Sequence, residues 1–157
     1  VLDDERRALL AAGVLTVVDN LSEHEDAVPD GEEGDAAPAE RSAPEPVVLG
    51  PDWRDRPVLC AGGRGNLDDA ASAMLAQLVE RRGIGTHCIP SDALASESYA
   101  SLDLDGVRVV CLSYMNTGSV AHARYTVRRL RRRTRAPILV GFWAMDPEEA
   151  ASRDLVK

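Results

Sequence analysis

The sequence predicts an α/β domain built on a doubly wound parallel sheet, preceded by a helix and an acidic linker. Three observations predict it. Four short runs, "PVLCAGG", "GTHCIP", "GVRVVCLSY" and "APILVGFW", are nearly all apolar. Strands covered on both faces need that composition. Between the runs, apolar residues recur at helical spacing. Glycine, serine and proline cluster where the runs begin and end, as turns require. Strands that alternate with helices, joined by right-handed crossovers, give a parallel sheet with helices on both faces.

The elements follow in order. Residues 2–23 read as a helix, with Leu2, Leu9, Val14, Val17, Val18 and Leu21 as an incomplete apolar stripe. Asp3, Asp4 and Glu5 suit the positive end of its dipole. Residues 24–56 are rich in Pro, Gly, Ala and acids. Such a stretch buries too little apolar surface to offset its ordering entropy, so it reads as a flexible linker, anchored at its end by Trp53. The α/β domain then occupies residues 57–157. Its first strand leads to a helix over 67–82 that stops at Gly83. The second strand leads to a short helix near 92–101, and the third to a helix over 118–134. After the fourth strand, "DPEEAASRDLV" starts another helix, with Pro147 at a favoured first-turn position. A fifth strand and a last helix normally finish such a sheet, so a truncated C-terminus is one reading, and a first residue that is Val fits a mature, a trimmed or a fragmentary chain.

Charge is divided along the chain. Residues 1–56 hold fifteen Asp and Glu against five Arg, a net of −10; residues 57–157 hold thirteen basic residues against eleven acids, a net of +2. Seventeen of the basic residues are Arg, a compositional bias that carries no chemistry by itself. Cys60, Cys88 and Cys111 fall in separate strands, where a free thiol behaves as a small apolar residue. No CxxC pair stands among them, and His24, His87 and His122 are far apart, so no metal site is expected. No signal peptide or membrane-spanning run is visible.

The stretch "CAGGRGNLDDAASAML", residues 60–75, asks whether its turn cradles a ligand. In such sheets ligands bind beyond the carboxyl ends of the strands, which is where this turn lies. Gly63-x-Gly65-x-x-Asp68 lacks the third glycine of the dinucleotide fingerprint, and no GK[ST] follows. Asn66 reads as an N-cap, with Asp69 completing a capping box. Asp68 and Asp69 put negative charge where a phosphate needs positive charge, and Arg64 offsets part of it. A tight turn with a self-capped helix is the plainer reading; a ligand offering hydroxyls or a cation is the other. Ser113 has no G-x-S-x-G context and no evident base, so no nucleophile is expected. Tyr114, Asn116, Thr117 and Ser119 suit either a polar crevice or a turn with its N-cap.

From strand one to strand four the chain resembles the cobalamin-binding domain of methionine synthases and mutases, a flavodoxin-like fold. That family carries G-D-x-H-x-x-G after the first strand, its His being the lower cobalt ligand. Here Gly65-Asn66-Leu67-Asp68-Asp69-Ala70-Ala71 stands at the motif, with Asp68 in place of the His, Asn66 of the Asp and Ala71 of the Gly. Ser113-Tyr114-Met115 stands at the third-strand turn. Gly141-Phe142 replaces the Gly-Gly beside the nucleotide tail. The resemblance implies the fold; an Asp is a poor cobalt ligand beside imidazole, so no cofactor is expected.

A resemblance over nearly the whole chain rests on "VLCAGGRGNLDDAASAMLAQLVERRGIG", "VCLSYMNTGSVAHARYTVRRLRRR" and "PILVGFW" behind an acidic linker. These are similar to the soluble C-terminal extension of some bacterial transporters of the autoinducer-2 exporter family. The resemblance implies a domain at the cytoplasmic face of the inner membrane, following a membrane permease domain of the same chain; its role is not supplied by the resemblance, and the leading reading is a non-enzymatic one. On that reading a small molecule or a partner engages a crevice formed by Gly63, Arg64, Gly65, Asn66, Asp68, Ser113, Tyr114 and Gly141. A free-standing corrinoid-like or nucleotide-binding module is the alternative, and an enzyme subunit with catalytic residues on another chain a weaker one.

"SVAHARYTVRRLRRRTR", residues 119–135, places Val120, Ala123, Val127 and Leu130 on one helical face toward the sheet. Arg124, Arg128, Arg131 and Arg135 form one flank, and Arg129, Arg132 and Arg133 the outer side. Arg128, Arg129, Arg132 and Arg133 are therefore candidates to meet anionic lipid headgroups or a partner, the linker of the same chain included, beside the plain reading of a solvated face. Only Tyr125 interleaves aromatically and the chain is acidic overall, so nucleic acid is not expected.

Overall fold

The computed structural model describes residues 3–22, 50–95 and 97–144. The predicted linker up to residue 49 and the helix predicted after the fourth strand lie outside the described residues. The elements are helix α1 (Asp4–Ser22), strand β1 (Val58–Gly62), helix α2 (Asn66–Glu80), β2 (Thr86–Ile89), β3 (Val109–Tyr114), α3 (Val120–Leu130) and β4 (Ile138–Phe142). All strand pairs are parallel and the order is β2-β1-β3-β4. This α/β architecture is the one the alternating pattern predicts. Its strand order coincides with the first four places of the flavodoxin-like order.

Alternation along the strands decides which face each side chain covers. Leu59 and Ala61 of β1 join Val110, Leu112 and Tyr114 of β3 and Ala123 and Leu130 of α3 in one core. Val58 and Cys60 point the other way, to Ala76 of α2, with Leu75, Val79 and Trp53 against them. Of the α3 stripe read from the sequence, Ala123 and Leu130 are buried, Val127 packs half-buried against the core and Val120 is half-buried, while Thr126 is buried beside them. Register also aligns the three cysteines: Cys60 sits opposite Cys88 on one side and Cys111 on the other. All three thiols are free; the neighbouring Cys111 thiol and burial push the Cys60 thiol up, and the same thiol–thiol hydrogen bonding pulls Cys111 down.

Two elements differ from expectation. Among the described residues between β2 and β3 no α-helix forms; two short 3-10 turns, Ser91–Leu94 and Tyr99–Ser101, replace it. Asp and Ser compete for the backbone there and favour turns over helix. Helix α1 packs on the outside of α2, not on the sheet. Gln77 Nε2 donates to the Val18 carbonyl at 2.8 Å and Arg81 to that of Leu21 at 3.0 Å. Within the described part of α1, Ala11 alone is fully buried; Leu9, Val17 and Leu21 of the predicted stripe are exposed. Val14 and Val18 of the stripe are half-buried, with Ala8, on the same side of the helix as Ala11, whereas the leucines are exposed.

Candidate functional site

Where the carboxyl ends of β1 and β3 diverge, a crevice of about 840 Å³ opens. Its floor is the turn from Arg64 to Asp68, its far wall Met115, Asn116, Ser119 and Ala144, and its near wall Asp4 and Arg7 of α1. A second cavity of about 810 Å³ lies between α1, α2 and the β2 edge, lined by Leu15, Asp19, Gln77, Glu80, Thr86 and His87. The first occupies the position at which such sheets bind ligands.

The paired acids after the glycine turn hold this end of the sheet together. The Arg64 backbone N–H donates to Asp68 Oδ2 at 2.9 Å, and that of Met115 to Oδ1 at 2.8 Å. Asp68, 8 % exposed, thereby ties the β1–α2 turn to the end of β3. Asp69 does the same for β2: Ser91 donates to it through its backbone N–H at 2.7 Å and its hydroxyl at 3.1 Å. Burial pushes the Asp69 carboxyl up, and the bonds from Ser91 pull it back. The capping box expected from the sequence is not formed. Gly65 is the N-cap, without a side-chain bond, and Asn66 is the first helical residue. Asp69 reaches Ser91 instead because the loop after β2 lies within its range.

The predicted site residues separate into two groups. Arg64, Gly65, Asn66 and Asp68 line the crevice. Gly63, Ser113, Tyr114 and Gly141 do not. Tyr114 belongs to the core: it is fully buried and stacked on Phe142 at 5.4 Å between ring centroids. Its hydroxyl meets His122 Nδ1 at 3.2 Å and Thr126 Oγ1 at 3.5 Å. Burial raises the Tyr114 pKa and lowers that of His122, where the charge of Arg64 adds to the effect. Gly63 leaves room for the Tyr114 ring, which a side chain at 63 would strike. Ser113 Oγ is sealed in the sheet with no hydrogen-bond partner among the described residues, and Gly141 lies against the Trp143 indole. Asp4 and Arg7 were missed by sequence reasoning. Nothing local signals that a helix some sixty positions upstream of the turn forms its wall.

The arginine helix also divides. Arg129 donates to the Leu94 carbonyl at 3.0 Å and lies 4.0 Å from the Tyr99 ring centroid. Arg133 donates to the carbonyls of Tyr99 and Leu102. With only 3-10 turns there, the segment between β2 and β3 leaves carbonyls without helical partners, and these two guanidinium groups bond some of them. Arg128 and Arg132 are exposed. Arg129→Ala is therefore expected to lower stability by about 2 kcal/mol through loss of a charge-assisted bond and ring packing. Arg128→Ala and Arg132→Ala are expected to stay within about 0.5 kcal/mol of the parent. Urea titration of the three variants checks this.

Among the described residues no cluster of three His, Cys, Asp or Glu could hold a metal ion, and no helix is long and apolar enough to cross a membrane. Asp68, at the position where the cobalamin-binding motif carries His, accepts one backbone N–H on each of its oxygens. No family model, curated protein or solved structure matches the chain.

Proposed function

We propose that this chain is a non-catalytic regulatory domain that binds a small polar molecule in the crevice beyond β1 and β3. The observation that carries the reading is the crevice itself: its two sides are tied through Asp68, so it is preformed and polar. The neighbouring Ser113 hydroxyl is sealed away with no base bonded to it, which supports binding over catalysis. Its strand-one, strand-three and strand-four stretches resemble the C-terminal extension of bacterial transporters of the autoinducer-2 exporter family, and the reading takes the domain to be such an extension. There it would sit on the cytoplasmic side of the inner membrane and report to a permease domain upstream. Arg128 and Arg132, exposed on α3, are available to anionic lipid headgroups, at about 1 kcal/mol per basic residue near such a surface.

Two experiments test the reading. Thermal and urea melts against a panel of polar metabolites should find a ligand that stabilises the protein, by about 2.7 kcal/mol at a hundredfold excess over Kd. Gly65→Trp should abolish that gain while folding normally. A Cβ at Gly65 meets nothing within 4 Å, and the backbone there is extended at φ −175°, ψ −179°. Equal stabilisation of both proteins puts the site elsewhere, and no stabilisation by any compound overturns small-molecule binding. Fractionation of the native protein should leave it in the membrane after a high-salt and alkaline wash. Recovery in the soluble fraction overturns the transporter assignment and favours a free-standing binding module.

A further inference from the structure

We infer that α1 is the element through which the crevice reports its state, docked on α2 when the crevice is filled and released more readily when it is empty. The inference rests on the crevice being a binding site, as proposed above. Its own support is where α1 sits and how lightly it is held.

The two helices run in parallel. Val18 and Leu21 of α1 meet Gln77 and Arg81 of α2, while Asp4 and Arg7 lie at the crevice beside the first turn of α2. One end of α1 is thus a wall of the site and the remainder rides along α2. The seam is shallow. Ala11, 2 % exposed, is the single fully buried side chain of the described helix, and Ala8, Val14 and Val18 beside it are half-buried. Alanine and valine offer little apolar area, and helices in proteins draw most of their stability from the packing of one face. Elements with few buried contacts open at free energies well below global unfolding. A molecule touching both the Arg64–Asp68 turn and the first turn of α1 binds only the docked form. By linkage it shifts α1 toward docking by its differential affinity for the two forms.

Hydrogen exchange of the full chain, followed by NMR, tests this without a natural ligand. The amides of α1 should exchange at least about tenfold faster than those of β1 and β3, through a separate opening. Ala11→Glu should speed α1 exchange about tenfold further and leave β1 and β3 unchanged. Gln77→Leu, which removes only the bond to Val18, should act in the same direction to a smaller extent. Gly65→Trp, placing an indole in the crevice as a built-in occupant, should slow α1 exchange severalfold. Exchange of α1 in step with β1 and β3 in the parent overturns the proposal, because α1 is then part of the core. Unchanged or faster α1 exchange in Gly65→Trp also overturns it. Failure of every compound in the ligand panel removes the binding reading and this inference with it, whereas α1 exchanging in step with the sheet, or no slowing in Gly65→Trp, removes the reporting role alone, so the two failures are distinguishable.

Discussion

Asp68→Ala is expected to destabilise the protein by about 4 kcal/mol, because it removes the acceptor of two charge-assisted hydrogen bonds and leaves two backbone N–H groups without it. The bonds come from Arg64 and Met115, on different strand ends, so their loss separates the β1–α2 turn from β3. Asp68→Asn keeps a carbonyl oxygen for one of the two donors and is expected to lose about half as much. Urea denaturation of both variants measures the order. Equal stability of Asp68→Ala and the parent contradicts the clamp. The same geometry bears on the cobalamin-like motif. Asp68→His removes both bonds and leaves Ala71 and Phe142 where the family carries glycine. It is expected to lose stability and to bind no cobalamin, so a cobalt–imidazole absorption signature in that variant contradicts this expectation.

Gly62→Ala is expected to cost at least about 3 kcal/mol. A Cβ at Gly62 lies 2.7 Å from the Asp69 backbone nitrogen and 2.9 Å from its Cα, closer than real Cβ contacts allow. Backbone cannot rotate out of the way as a side chain does, so α2 must shift off the strand. Its shift strains the Asp69–Ser91 and Asp68–Met115 bonds together. Gly65→Ala is the control three positions on. It meets open space and an extended backbone, and is expected to fold with parental stability. Comparison of the two alanine variants by thermal melting separates glycine needed for packing from glycine that lines open space. A Gly62→Ala protein as stable as Gly65→Ala contradicts the account.

The contrast between those glycines shows how much of the candidate site was legible. Gly62, Gly63 and Gly65 belong to one run and look equivalent in the sequence. Gly62 is set by the closeness of α2, Gly63 by the Tyr114 ring, and Gly65 faces the crevice. Asp68 and Asp69 look like helix-start acids, yet their partners Met115 and Ser91 lie 47 and 22 residues away. Tyr114 reads as a crevice residue because it ends a strand, but alternation points it into the core. Arg129 and Arg133 look like neighbours of Arg128 and Arg132 in one cationic face. Only the turns packed against α3 show that the first pair is committed to carbonyls.

By itself the sequence determined the class of this fold, since the four apolar runs and the helices between them are local patterns that dictate a parallel sheet covered on both faces. It also located the carboxyl end of β1 as the place to look for a site. The tertiary structure decided which residues face that site, that α1 forms one of its walls, and that the segment between β2 and β3 is not an α-helix. The physical reason is range. Periodicity and turn chemistry act over a few residues, whereas a clamp, a clash or a cavity wall depends on groups that only the completed packing brings together.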